Sequence, residues 1–158
     1  MDTLRTFLGS FFDHEVKIAD RVTRDSAKPV LTRSIGRNAF TGKLMILVDS
    51  ASASASEVLA RVVQLEKRGT VLGDRSAGAV MESKRYQYLL SFHHRRRPAH
   101  DGKSLERVGV TPDEVIQPTA ADLTAGRDPV LARAVEIVGG RMSPERAGAL
   151  FPYEWPKQ

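Results

Sequence analysis

The chain contains no cysteine. Thiol catalysis, disulfide staples and cysteine-ligated metals are therefore excluded, and the redox compartment is left open. It also lacks any apolar run approaching the ~20 residues that a membrane-spanning helix requires, and no signal-peptide pattern opens it. Aromatic residues are sparse, at 6 % of the chain. What remains is ordinary for a globular protein, with 41 % hydrophobic and 27 % charged residues. A length of 158 residues suits one domain, and a domain of that size buries roughly two-thirds of its surface.

The formal net charge is +5, which raises the question of nucleic acid. The stretch "HHRRR", with Lys84, Arg85, Lys103 and Arg107, could track phosphates. Only Tyr86, Tyr88 and Phe92 lie near it, too few to stack bases between the charges, and no nucleic-acid motif accompanies them. A solvated basic loop is the expectation. The four histidines lack a convincing carboxylate or thiolate set, so neither a metal nor a cofactor is expected.

Along the chain, helical and extended patterns alternate. Leu4, Phe7, Leu8, Phe11 and Phe12 repeat at the spacing of an amphipathic helix. "EVKIAD" and "KPVLTRSI" read as short strands. "GKLMILVD" is a continuous apolar run that suits a central parallel strand buried on both faces. A helix follows over Ser54–Lys67, with Val58, Leu59, Val62 and Leu65 facing inward, and Gly69 ends it. "TVLGD" supplies the next strand, completing a right-handed βαβ unit. Next, "MESKRYQYLLSF" reads as a long strand, with "HHRRRPAHDGKS" as the tip that turns it back into "LERVGVTPDEVI". Two helices close the chain, one capped by Asp128 with Pro129 behind it, the other by Ser143 with Pro144. The whole reads as a single α/β domain over 1–158.

Within the βαβ unit, Ser50, Ser52, Ser54 and Ser56 alternate with three alanines. They sit at the carboxyl end of a strand and the amino end of a helix, the edge at which open α/β sheets bind ligands. A helix amino terminus offers unpaired N–H groups and a partial positive charge, both suited to an oxyanion. A serine there can stand on a sharp turn with the next backbone N–H facing the same carbonyl. Small neighbours would let a substrate backbone approach. The competing reading is a simple helix cap.

"VDSASASASEVLARVV" followed by "VLGDRSAGA" resembles the active-site block of the C-terminal processing peptidases, or tail-specific proteases. Ser52-Ala53-Ser54-Ala55-Ser56-Glu57 matches the family's Ser/Thr-Ala-Ser-Ala-Ser-Glu pattern. Gly73-Asp74-Arg75-Ser76-Ala77-Gly78 is similar to its Gly-Glu-x-Thr-x-Gly turn. Glu106, Gly109, Val110, Pro112 and Asp113 resemble its Glu-x-x-Gly-Val-x-Pro-Asp segment, and "GRDPVLARAVEI" its closing helix. The resemblance covers most of the chain after Phe40.

The resemblance implies a crotonase-like core: parallel strands, a βαβ unit carrying the nucleophile, a β-hairpin and C-terminal helices. It implies a serine endopeptidase that acts on polypeptide through an acyl-enzyme on Ser54, with the Ala55 N–H stabilising the oxyanion. Glu106 is the position that would orient a histidine, a salt bridge to Arg107 or Lys103 being the competing reading. Two departures qualify this. The lysine base of the best-known branch falls on Ala79 and its orienting glutamine on Ser83, so a Ser–Lys dyad is excluded. The ending of "DRSAGA" resembles either the branch that includes tricorn-like proteases, whose base is a histidine from upstream, or uncharacterised relatives. The family's "LRxNxGG"-like strand and loop, which supplies a second oxyanion donor, has no counterpart here. The expectation is therefore the carboxyl-terminal portion of a processing-peptidase catalytic domain. The alternative is a catalytically dead peptide-binding domain of the same fold. Among the histidines, His93 and His94 are disfavoured as the base because a hairpin tip rarely reaches the helix it left. Relatives mostly work outside the cytoplasm, and an oligomer is compatible with the family.

Overall fold

The computed structural model describes residues 2–22, 26–80, 82–84, 92–95 and 103–152. Helix α1 (Asp2–Gly9) forms from the expected stripe. Leu4 and Leu8 are buried, as is Phe12 beyond the helix, while Phe7 is half exposed and meets Phe11 edge-on at 5.1 Å. The helix ends where another segment crosses it: a Cβ on Gly9 would lie 1.8 Å from the Arg33 carbonyl oxygen. Strands β1 (Lys17–Val22) and β2 (Ala27–Leu31) pair antiparallel. Behind them the buried Thr32 hydroxyl accepts the Val16 N–H at 2.8 Å.

The centre is the expected βαβ unit. Strand β3 (Met45–Val48) leads through α2 (Ala55–Leu65) to β4 (Thr70–Gly73), and the two strands are parallel, Met45 opposite Thr70 and Val48 opposite Gly73. Strand β3 is not the doubly buried central strand that its apolar run suggested. Among the described residues it is an outer strand, and Leu47 is 41 % exposed. The middle place belongs to β4, whose Val71 and Leu72 are fully buried. The run of apolar residues was a guide to strand formation, but not to position in the sheet. The core gathers Val58, Ala60, Val62 and Val63 of α2 with Leu8, Ile18, Val71 and Val110.

After β4 the chain departs from expectation twice. Strands β5 (Glu82–Lys84) and β6 (Phe92–Arg95) form an antiparallel pair with Ser83 opposite His93. His93 and His94 thus lie within a strand, not at the hairpin tip; "YQYLL" and residues 96–102 fall outside the described residues. "LERVGVTPDEVI" is not the returning strand either. It makes a turn through Arg107 (φ 62°) and Gly109 (φ 74°), and only β7 (Glu114–Val115) is extended, adding parallel to the far side of β4.

The last third is helical. Helix α3 (Ala120–Thr124) was not anticipated, although Thr119 and Asp122 form a capping box at its start. Helices α4 (Pro129–Ile137) and α5 (Pro144–Leu150) are capped as expected, Asp128 accepting the Leu131 N–H at 2.9 Å and Ser143 that of Arg146 at 3.3 Å. Helix α4 packs on β3, β4 and α5. Among the described residues no helix is long and apolar enough to cross a membrane.

Candidate active site

The four serines after β3 have different fates. Ser52 is committed to the turn: its hydroxyl donates to Asp49 Oδ1 (2.8 Å) and accepts the Asp49 N–H (3.1 Å). Ser56 donates to the Ala53 carbonyl at 2.7 Å, and Ser50 is exposed. Ser54 stands apart. It is exposed, no side chain among the described residues hydrogen-bonds its Oγ, and its backbone sits at φ 58°, ψ −115°. A residue with a Cβ avoids that region, at a cost on the order of 1–3 kcal/mol, and persists there only where its surroundings compel it. Ser54 immediately precedes α2, so the turn swings its side chain off the end of the strand at a helix amino terminus. Ala55 is the first residue of α2, whose leading N–H groups have no intrahelical acceptor.

The compelling surroundings are a second loop and a buried acid. The Ser54 N–H donates to the Ala79 carbonyl at 2.9 Å, and the Ala77 N–H to the Ser52 carbonyl at 2.9 Å. These two bonds stitch the serine turn to the loop after β4. Below them lies Glu57, 0 % exposed. Its Oε1 accepts the Ser76 hydroxyl and the Gly78 N–H, both at 2.6 Å. Its Oε2 accepts the N–H groups of Ser54 (3.0 Å) and Ala79 (2.9 Å). A carboxylate cannot be buried without such partners, and charge-assisted bonds of this type are the strong ones. The Ser76 oxygen in turn accepts the Val110 N–H at 2.6 Å.

Glu106 joins the edge of this network. Its Oε2 accepts the Val80 N–H at 2.9 Å, one residue beyond Ala79. Ser54, Ala55 and Glu106 are therefore brought to one neighbourhood, with Glu106 bonded to the loop and not to Ser54. Ala79 lies against the Ser54 backbone and is exposed. Among the described residues no lysine or histidine hydrogen-bonds Ser54. His14 is engaged by Asp13 at 2.7 Å, and that bond holds the Asp13 carboxyl below its usual range. The His93 and His94 side chains and all of His100 are outside the described residues. A cleft of about 420 Å³ opens on the carboxyl ends of β3 and β4, lined by Asp49 and Ser52 of the turn with Leu47, Ile116, Leu123 and Phe151, whereas Ser54, Ala55 and Glu106 do not line it.

The sequence matches the model of peptidase family S41 over residues 2–116. The chain belongs to that family. It is 25 % identical over 147 residues to a carboxyl-terminal-processing protease of Synechocystis, covering 87 % of this chain and 34 % of the relative. Among solved structures, the photosystem II D1 C-terminal processing protease superposes with a TM-score of 0.66 at 18 % identity, over 92 % of this chain and 37 % of that one. The tricorn protease gives a TM-score of 0.60 at 21 % identity, over 76 % of this chain and 12 % of that one. At such identities the structural likeness is one of fold. The chain spans about a third of the length of the curated relative.

Sequence reasoning missed Glu57 and Ser76 as members of the site. Ser54 and Glu57 have the Ser-x-x-Glu spacing of a capping box, which was readable. The donors that Glu57 gathers from residues 76–79 come from a loop across β4, and local spacing carries no trace of them.

Proposed function

We propose that this chain carries the nucleophile of a serine endopeptidase and is the carboxyl-terminal portion of a longer processing-peptidase catalytic domain with a crotonase-like core. One observation carries the reading: Ser54 alone of the four serines is held in a strained backbone at the strand-to-helix junction, with an exposed hydroxyl. In this reaction Ser54 Oγ attacks an amide carbonyl and gives its proton to a base, which passes it to the departing amine. Water then hydrolyses the acyl-enzyme. The Ala55 N–H faces the oxyanion at the positive end of α2. In this reading Glu106, whose carboxylate accepts the Val80 N–H, orients a histidine whose ring reaches the Ala79–Val80 loop. The substrate polypeptide adds as an extended strand beside the turn.

Ala79 favours a second reading, a domain that binds peptide but has lost the chemistry. At that position an exposed side chain lies beside Ser54, and a methyl group cannot accept a proton. Cleavage of unfolded polypeptide separates the two. A working site loses cleavage in Ser54→Ala, while Ser56→Ala, whose hydroxyl is spent on Ala53, retains most of it. Ala79→Lys then changes the rate by less than about threefold, because the base lies elsewhere. A domain missing only its base would instead gain tenfold or more from Ala79→Lys, since general base catalysis contributes about 10²–10⁴.

A further inference from the structure

Glu57 is the most completely enclosed acid among the described residues, and the chemistry above gives it no task. Its two oxygens serve different parts of the site. Oε2 binds the amides of Ser54 and Ala79, the two residues that also bond to each other through Ser54 N–H and Ala79 C=O. Oε1 binds Ser76 and Gly78, which anchor the loop to the 107–110 turn through the Val110 N–H on Ser76 and the Arg107 N–H on Gly78 at 2.7 Å. That turn offers no slack: a Cβ on Gly109 would lie 2.4 Å from the Ser76 carbonyl oxygen. One carboxylate therefore spans from a rigid loop to the amide of the strained serine. A helix cap needs only the Ser54 contact; the other three donors are beyond what capping requires.

We infer that Glu57 is a positioning residue for Ser54, fixing the nucleophile in its left-handed backbone by tying the Ser54 amide to the Ser76–Ala79 loop. The inference rests on the peptidase reading. Holding a nucleophile in an attack-ready geometry acts on the chemical step and leaves ground-state binding of the peptide alone. A glutamine at this position presents an NH₂ group to one pair of donors and so releases one side of the span.

The test uses the full-length protein, with peptide cleavage and fluorophosphonate labelling of Ser54 as readouts. Glu57→Gln is compared with Val62→Ala, a core variant of α2 that loses thermal stability without touching the turn. The expected result is a fall in kcat and in labelling rate of about a hundredfold for Glu57→Gln with KM within about threefold, while Val62→Ala at equal or greater loss of Tm keeps both rates. Equal rate losses in the two variants at matched Tm, or none in Glu57→Gln, overturn the inference and leave the peptidase reading standing. A wild type that neither cleaves nor labels overturns both. If Glu57→Gln does not fold, through-hydrogen-bond scalar coupling in the wild type decides. Coupling from the nitrogens of Ser54, Gly78 and Ala79 to the one Glu57 carboxyl carbon supports the span, and its absence at Ser54 overturns it.

Discussion

A single backbone angle sets Ser54 apart from its neighbours. Ser52 and Ser56 satisfy their hydroxyls within the turn and adopt negative φ, whereas Ser54 at φ 58° holds a conformation that glycine adopts freely. The strain has a measurable consequence. Ser54→Gly and Ser54→Ala both delete the hydroxyl, but only the first also removes the Cβ that the conformation opposes. Ser54→Gly should unfold later than Ser54→Ala, by roughly 1–2 kcal/mol after the extra chain entropy of glycine is subtracted. Both should be inactive. Chemical denaturation of the two variants checks this, and equal midpoints would show that the turn stores no strain. If Ser54 is the proposed nucleophile, its strained backbone works against the stability of the fold, a trade common at functional positions.

Elements whose defining contacts are local in the chain were legible in the amino-acid sequence. The βαβ unit, the α1 stripe and the proline-led caps of α4 and α5 depend on periodicity and on contacts a few residues apart. What escaped depended on distant partners. Strand β3 reads as central until β4 is seen to take β7 on its other side, and "LERVGV" reads as a strand until Gly78 and Gly109 bring it against the loop that Glu57 holds. Of the candidate site, the place of Ser54 and Ala55 at the strand-to-helix junction was readable, and so was the Ser-x-x-Glu spacing, but the loop donors that Glu57 gathers were not. Helix α3 is a different case, since its capping box was local and simply short. Its acid is titratable. The Thr119 hydroxyl, then the Thr119 N–H, and further the Arg127 guanidinium hold the Asp122 carboxyl below the usual range. A carboxylate with a depressed pKa stabilises the fold fully above its unfolded value, about 3.9. That contribution is lost as the pH falls through the lowered folded value. The cap of α3 should therefore be intact at pH 5 and loosen only below pH ~4, as followed by the Thr119 and Asp122 amide signals. Thr119→Ala should move the Asp122 titration back up toward the ordinary carboxylate range; an unmoved titration would assign the shift elsewhere.

At the scale of the whole molecule, the question is how much of a catalyst these 158 residues contain. On the proposed reading they hold the turn of Ser54, the loop that braces it and one of two oxyanion donors. They correspond to about a third of the Synechocystis relative. The family resemblance assigns the second oxyanion donor to a glycine upstream, and the histidine-using branch draws its base from there too. Removing one oxyanion donor alone costs about 10²–10³ in rate. If the chain is, as proposed, part of a longer catalytic domain, the isolated 158 residues should cleave unfolded polypeptide at least a hundredfold more slowly than the longer form, and Ser54→Ala should abolish activity in that form. Cleavage assays on both lengths, with and without the hydroxyl, make the comparison. Longer protein that binds polypeptide, cleaves nothing and binds equally well as Ser54→Ala would establish the peptide-binding domain instead. Activity that survives Ser54→Ala in the longer form would remove Ser54 as the nucleophile altogether, leaving its strained turn as a feature of the fold without a chemical purpose.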